Sequence, residues 1–181
     1  MFNLSRRGNQ TVFSDNICSL GIVPVSISYE FAPCDCDKAR ELYEKQQTAQ
    51  YQKADDEDLK SIVTGIEGYK GHVHVTFGKP LTQDFEDVTF VVKEVNHQIH
   101  HNYELYPSNI FAWEAISGEI NKHDQIIQVP VISKLFPDID LEKKCDEFTR
   151  YLERCPEQYR PQCLKMYAQP IINRFRYGSY K

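Results

Sequence analysis

Apolar and polar positions alternate along two short stretches of the chain and recur at a helical period along several longer ones. Ile22–Tyr29 is rich in β-branched residues and predicts a strand. Pro24 has no N–H to give a ladder, which puts that strand at an edge or at an irregularity. Val73, Val75 and Phe77 alternate with His72, His74 and Thr76, the period of a half-buried strand that Gly78-Lys79-Pro80 closes. Pro33, Asp35 and Asp37 offer a turn and a cap for a helix carrying Ala39, Leu42 and Tyr43. From Asp84 to Tyr103 the residues Val88, Val91, Val92, Val95, Ile99 and Tyr103 keep helical spacing, which over this length outweighs their β-branched content. A short helix through Trp113 and Ile116 follows a loop at Pro107, and Val129-Pro130-Val131 reads as a turn. Leu141, Cys145, Phe148, Leu152 and Cys155 mark an amphipathic helix behind Asp138 or Asp140, and Leu164–Ile172 a last helical piece. Asn3–Leu20 reads as polar and irregular, anchored by Val12, Phe13 and Ile17, and Gln46–Asp58 as a solvated loop or helix start ending in an acidic run.

Composition narrows the class. The 181 residues are 41% hydrophobic and 26% charged, the profile of one globular domain with a core of its own. A net charge of −5 argues against a general nucleic-acid binder. The charge is uneven: Arg160, Lys165, Arg174, Arg176 and Lys181 meet no acidic residue in the final segment, which leaves −10 on the preceding 159 residues. No apolar run is long enough to span a bilayer, and the first residues lack the pattern of a secretory signal. Six cysteines then read as reduced thiols in a cytoplasmic protein, with Cys145, Cys155 and Cys163 as small apolar fillers.

Two stretches carry a resemblance. Val23-Pro24-Val25, extended by Ser26, Tyr29 and Glu30, fits an apolar-Pro-apolar strand, and Gly71 to Pro80 fits Gly-x-Val-x-Val-x-Phe-Gly-x-Pro. Val95-Asn-His-Gln-Ile99 followed by Tyr103, Leu105, Pro107 and Asn109 fits a helix and turn. In this order, over Ser19 to Ile116, the chain resembles the later half of glycerophospholipid acyltransferases. The resemblance implies an α/β fold, the C-terminal portion of an acyltransferase-like domain over residues 1–116, followed by a helical tail over 117–181. It implies acyl transfer from acyl-CoA or acyl-carrier protein to glycerol 3-phosphate or a lysophospholipid, with no further cofactor. Val23, Pro24, Val25, Ser26, Tyr29 and Glu30 would help to shape the substrate pocket.

The family's chemistry is not complete here. None of the six histidines has an aspartate five residues on, and no Glu-Gly-x-x-Arg phosphate clamp occurs. The chain therefore reads as a C-terminal fragment without catalysis of its own, since a general base is typically worth ~10²–10⁴ in rate. A non-catalytic lipid- or partner-binding module is the alternative, and a His-rich metal protein using His72/His74 or His97/His101 a more distant one. The basic end, interleaved with Tyr159, Tyr167, Phe175, Tyr177 and Tyr180, suits the surface of an anionic membrane. In a truncated sheet, open strand edges and an uncovered apolar face favour self-association. Purified protein is accordingly expected to sediment as oligomers or to unfold with low cooperativity. A monodisperse, cooperatively unfolding monomer would count against that expectation.

Overall fold

The computed structural model describes residues 10–48, 51–120 and 132–177. Among them, one compact unit takes the residues up to Ser28, His74–Glu104 and those from Asn173 on, and a second takes Tyr29–Val73 and Leu105–Ile172. The elements run α1 (Gln10–Ser19), β1 (Val25–Tyr29), α2 (Asp35–Thr48), α3 (Glu57–Glu67), β2 (Val73–Phe77), α4 (Val88–His101), α5 (Pro107–Ile120), α6 (Ile132–Leu135), α7 (Leu141–Glu153) and α8 (Arg160–Tyr177). A 3-10 turn at Glu157–Tyr159 joins the last two.

This order corrects the expectation of an α/β domain. Among the described residues the eight helices face only two strands, which pair with each other. An acyltransferase-like α/β domain needs a multistranded sheet with layers of helix upon it. The alternation at Ile22–Tyr29 and Val73–Phe77 does mark strands, but the helical periods dominate the rest. Asn3–Leu20 also differs from expectation, because Gln10–Ser19 is helical. The turn expected at Val129–Val131 lies outside the described residues, as do His123 and Lys181. No helix among the described residues is long and apolar enough to cross a membrane.

In the first unit α1 contributes Phe13 and Ile17 to a core with Leu81, Phe85 and Val91, flanked by Ile22, Val88 and Val95. Ser14 holds the adjoining loop: its Oγ donates to Asp84 Oδ1 at 3.2 Å and accepts from Phe85 N–H at 3.2 Å. Asp87 starts α4, one carboxylate oxygen accepting from Thr89 and Phe90 N–H. In the second unit α5 buries Ile110, Ala112, Trp113 and Ile116, and α7 buries Phe148. The Phe148 ring meets Tyr167 of α8 edge-on at 5.1 Å. Asp140 caps α7 by accepting from Lys143 N–H at 3.1 Å.

Two backbone bonds fix the strand register. Glu30 N–H donates to His72 O at 2.9 Å, and Gly78 N–H donates to Pro24 O at 2.7 Å. An antiparallel ladder between these points sets Val25 opposite Phe77, Ile27 opposite Val75, and Tyr29 opposite Val73. Ser26 then faces Thr76 and Ser28 faces His74. Beyond the ladder Gly71 takes φ +61°, and a Cβ there would lie 2.7 Å from Glu30 Oε2 and 2.8 Å from the Phe31 ring. Glycine at the start of the Gly71–Pro80 stretch is thus a backbone requirement.

The role of α1 is open to a simple check. Ile17 is fully buried, whereas Leu20, just beyond α1, is 61% exposed. Ile17→Ala is expected to cost roughly 2–5 kcal/mol in urea unfolding, and Leu20→Ala less than about 0.5 kcal/mol. Equal small effects would mean that α1 does not belong to the core.

Candidate functional site

The register places six apolar side chains on one side of the sheet. Val25, Ile27, Tyr29, Val73, Val75 and Phe77 are all exposed, from 36% at Val25 to 73% at Phe77. Within the first unit Val25/Phe77 and Ile27/Val75 form two cross-strand rungs at non-hydrogen-bonded positions, where facing side chains come closest. The opposite side carries small polar groups. Ser26 Oγ donates to Ile99 O at 2.9 Å, and Ser28 Oγ accepts from Glu104 N–H at 2.9 Å. Both serines are buried. The expectation of a strand burying Val73, Val75 and Phe77 is therefore corrected: the sheet presents its apolar side outward.

This alternation also divides the residues expected to shape one pocket. Pro24, Ser26 and Glu30 are buried, while Val23, Val25 and Tyr29 are exposed.

Glu30 instead anchors the second unit. Its side chain is 3% exposed. Lys144 Nζ donates to Oε1 at 2.6 Å, while Oε2 accepts from His72 N–H at 3.0 Å and from His72 Nδ1 at 2.6 Å. Ser108 Oγ donates to the Glu30 carbonyl at 2.9 Å. Lys144 also reaches Glu147 Oε2 at 2.9 Å, and Glu147 accepts from Tyr69 OH at 3.2 Å. Burial alone would raise the Glu30 pKa; the Lys144 and His72 contacts outweigh it and hold the carboxyl below its ordinary value.

Asp35 is a second buried carboxylate. It is paired with Arg154, accepts from Tyr167 OH at 2.8 Å and bonds Cys36 N–H at 2.6 Å. Here burial prevails over those partners and the pKa is raised. Tyr167 also accepts from Ala32 N–H at 2.8 Å, so this aromatic is a core residue and no part of a surface belt. Arg154 lies over the Tyr151 ring at 3.9 Å. Next to Glu30 in the chain, the Phe31 ring packs against Tyr69 at 5.5 Å and Tyr151 at 4.5 Å. Sequence reasoning gave Lys144 and Arg154 no role, and read Asp35 as a turn or cap and Tyr167 as part of a surface belt; the four come from distant stretches and form no local motif.

The expected membrane-surface residues have differing environments. Arg160 donates to the carbonyls of Cys155 and Glu153 at 3.0 and 3.3 Å, closing the C-terminal end of α7. Arg174 donates to His101 O at 3.2 Å, whereas Lys165 and Arg176 are exposed. Among the described residues no group of three His, Cys, Asp or Glu side chains, the histidine pairs included, is arranged to hold a metal ion. His97 and His101 stack at 5.7 Å beside a cleft of about 410 Å³, but His97 Nδ1 donates to Tyr177 O at 2.6 Å. A cleft of about 420 Å³ along α2 is lined in part by paired charges, Lys38 with Glu41 and Lys60 with Asp56.

The Glu30 network sets an acid dependence. A carboxyl whose folded pKa lies below its unfolded value adds stability that is present above the unfolded value of 4.5 and lost as pH falls through the folded one. Lys144→Ala is expected to cost about 3 kcal/mol at pH 7, because it strands a buried charge, and to lessen the stability lost between pH 5 and pH 3, roughly the carboxylate range. Urea titrations at several pH values check both points. An unchanged acid limb would remove Glu30 from its source. No family model matches this chain, and no curated protein or solved structure matches it either.

Proposed function

We propose that the protein is a non-catalytic binding module whose contact surface is the open face of the β1–β2 sheet. The observation that carries this reading is the pair of rungs Val25/Phe77 and Ile27/Val75 in the first unit, apolar and exposed at all four positions. Single exposed apolar residues are ordinary on a protein surface, but a contiguous, register-matched set marks a surface that is covered by something. A sheet face of this kind is completed by a helix laid across it.

The same chain carries such a helix face. Leu59, Ile62, Val63 and Ile66 of α3 recur at i, i+3, i+4 and i+7, and they are 45–73% exposed. α3 buries none of its residues. The partner is therefore a second copy, whose α3 stripe lies on the sheet face of the first. Such a contact joins unlike surfaces, so it either closes on itself or continues from copy to copy. A standard interface buries about 800 Å² per partner, more than four helical side chains supply, which makes a single contact weak and rewards a closed or repeated one.

What supports binding over catalysis is the state of the titratable groups. Glu30 and Asp35 are closed in by Lys144, His72, Arg154 and Tyr167. The sequence offers no His-x-x-x-x-Asp pair to activate a hydroxyl.

Phe77 and Ile66 are each 73% exposed, so charging either leaves the fold intact. Analytical ultracentrifugation is expected to find wild type above the monomer mass of 21.2 kDa. Phe77→Lys and Ile66→Lys each return it to monomer with an unchanged far-UV spectrum. Wild type that stays monomeric at 100 µM, roughly the dissociation constant of a weak contact, would sink the self-association. Oligomers that survive both substitutions would place the contact elsewhere.

A further inference from the structure

Three thiols meet in the core of the second unit. Cys36, in the first turn of α2, has its Sγ 2.7 Å from Cys155 Sγ, and Cys155 lies 3.5 Å from Cys163 Sγ. Cys155 and Cys163 are buried at 1% and 0% exposure, whereas Cys36 retains partial access to solvent. The remaining thiols stand apart: Cys34 contacts Ser61, Cys18 contacts the Gln83 carbonyl, and Cys145 is exposed. At 2.7 Å the two free thiols are in direct contact, so a small movement brings them to the roughly 2.05 Å of a disulfide. Sulfurs bound to one metal ion at about 2.3 Å each would stand farther apart than this.

The geometry points to Cys36 and Cys155 as a redox pair that closes into a disulfide, joining the start of α2 to the residues after α7. A small-molecule disulfide such as oxidised glutathione is the oxidant. The Cys36 thiolate, on the accessible side, attacks it and forms a mixed disulfide, releasing one glutathione thiolate. Cys155 then attacks the Cys36 sulfur and expels the second. Two protein thiols lose their hydrogens, one glutathione disulfide becomes two glutathione thiols, and the protons end on those thiols. Burial, with the adjacent thiol, pushes Cys36 up to about 12, and burial pushes Cys155 up to about 11. Thiolate is therefore scarce at neutral pH, and closure is slow. The two residues are 119 positions apart, so the bond closes a long loop and restricts the unfolded chain strongly.

The test uses the full reduced chain, incubated overnight with oxidised glutathione, alkylated, and digested without reductant. Mass spectrometry is expected to find one dominant linked peptide pair containing Cys36 and Cys155. The melting temperature should rise by roughly 5–10 °C and return with dithiothreitol. Cys36→Ser, at a partly exposed position, should lose both the link and the rise. Cys36 and Cys155 recovered as separate alkylated peptides, or linked mainly to other cysteines, would overturn the assignment.

Discussion

Ser26 and Ser28 turn toward the end of α4, where Ser26 Oγ donates to the Ile99 carbonyl and Ser28 Oγ accepts from Glu104 N–H. The last four carbonyls of a helix have no partner within it, and Ile99 lies in that last turn. A strand presenting valine and isoleucine there would strand the carbonyl away from water, at a cost of about 1–3 kcal/mol for an unsatisfied buried group. The serine hydroxyls prevent this, and strand alternation does the rest. Once residues 26 and 28 face inward, residues 25, 27 and 29 must face outward. A one-residue slip would exchange the two faces, so the outward apolar surface follows from the same polar contacts that hold the sheet on its helix.

Charge plays a structural part in the second unit. Glu30 and Asp35 lie on either side of Phe31, each buried and each met by a cation from the α7 region: Lys144 for one and Arg154 for the other. Pairs of this kind add little net stability compared with an apolar replacement, but they tolerate few alternative packings. The Ser108 contact to the Glu30 carbonyl and the Asn109 Nδ2 bond to Tyr167 O, at 2.9 Å each, tie the start of α5 into the same arrangement. Buried carboxylates so enclosed hold structure.

Much of the secondary structure was legible in the sequence. The period over Asp84–Tyr103 marks α4, the Leu141–Cys155 spacing marks α7, and Asp140 caps it as expected. α1 was not legible because its buried residues Phe13 and Ile17 are only one turn apart in a polar stretch. The stripe from Leu59 to Ile66 was overshadowed by the acidic run before it, although its spacing alone would have revealed α3. Which side of the sheet faces inward was beyond reach. Alternation gives the period of a strand but not its phase, and the usual assumption that valine goes in and serine out fails when the covering element is a helix end. The resemblance to acyltransferases rested on two local strand patterns and one helix and turn, which say nothing of how many strands assemble.

Synthesis runs from one end of the chain to the other, and this gives the Glu30 cluster a history. The carboxylate emerges before either partner: His72 lies 42 residues farther on and Lys144 114. Until α7 has left the ribosome, Glu30 has no cation and no reason to leave water. The β1–β2 pairing can form before that point, with its carboxylate end still hydrated. The second unit can complete its core only after α7 and α8 have been made, so its consolidation follows the β1–β2 pairing in an order set by the chain.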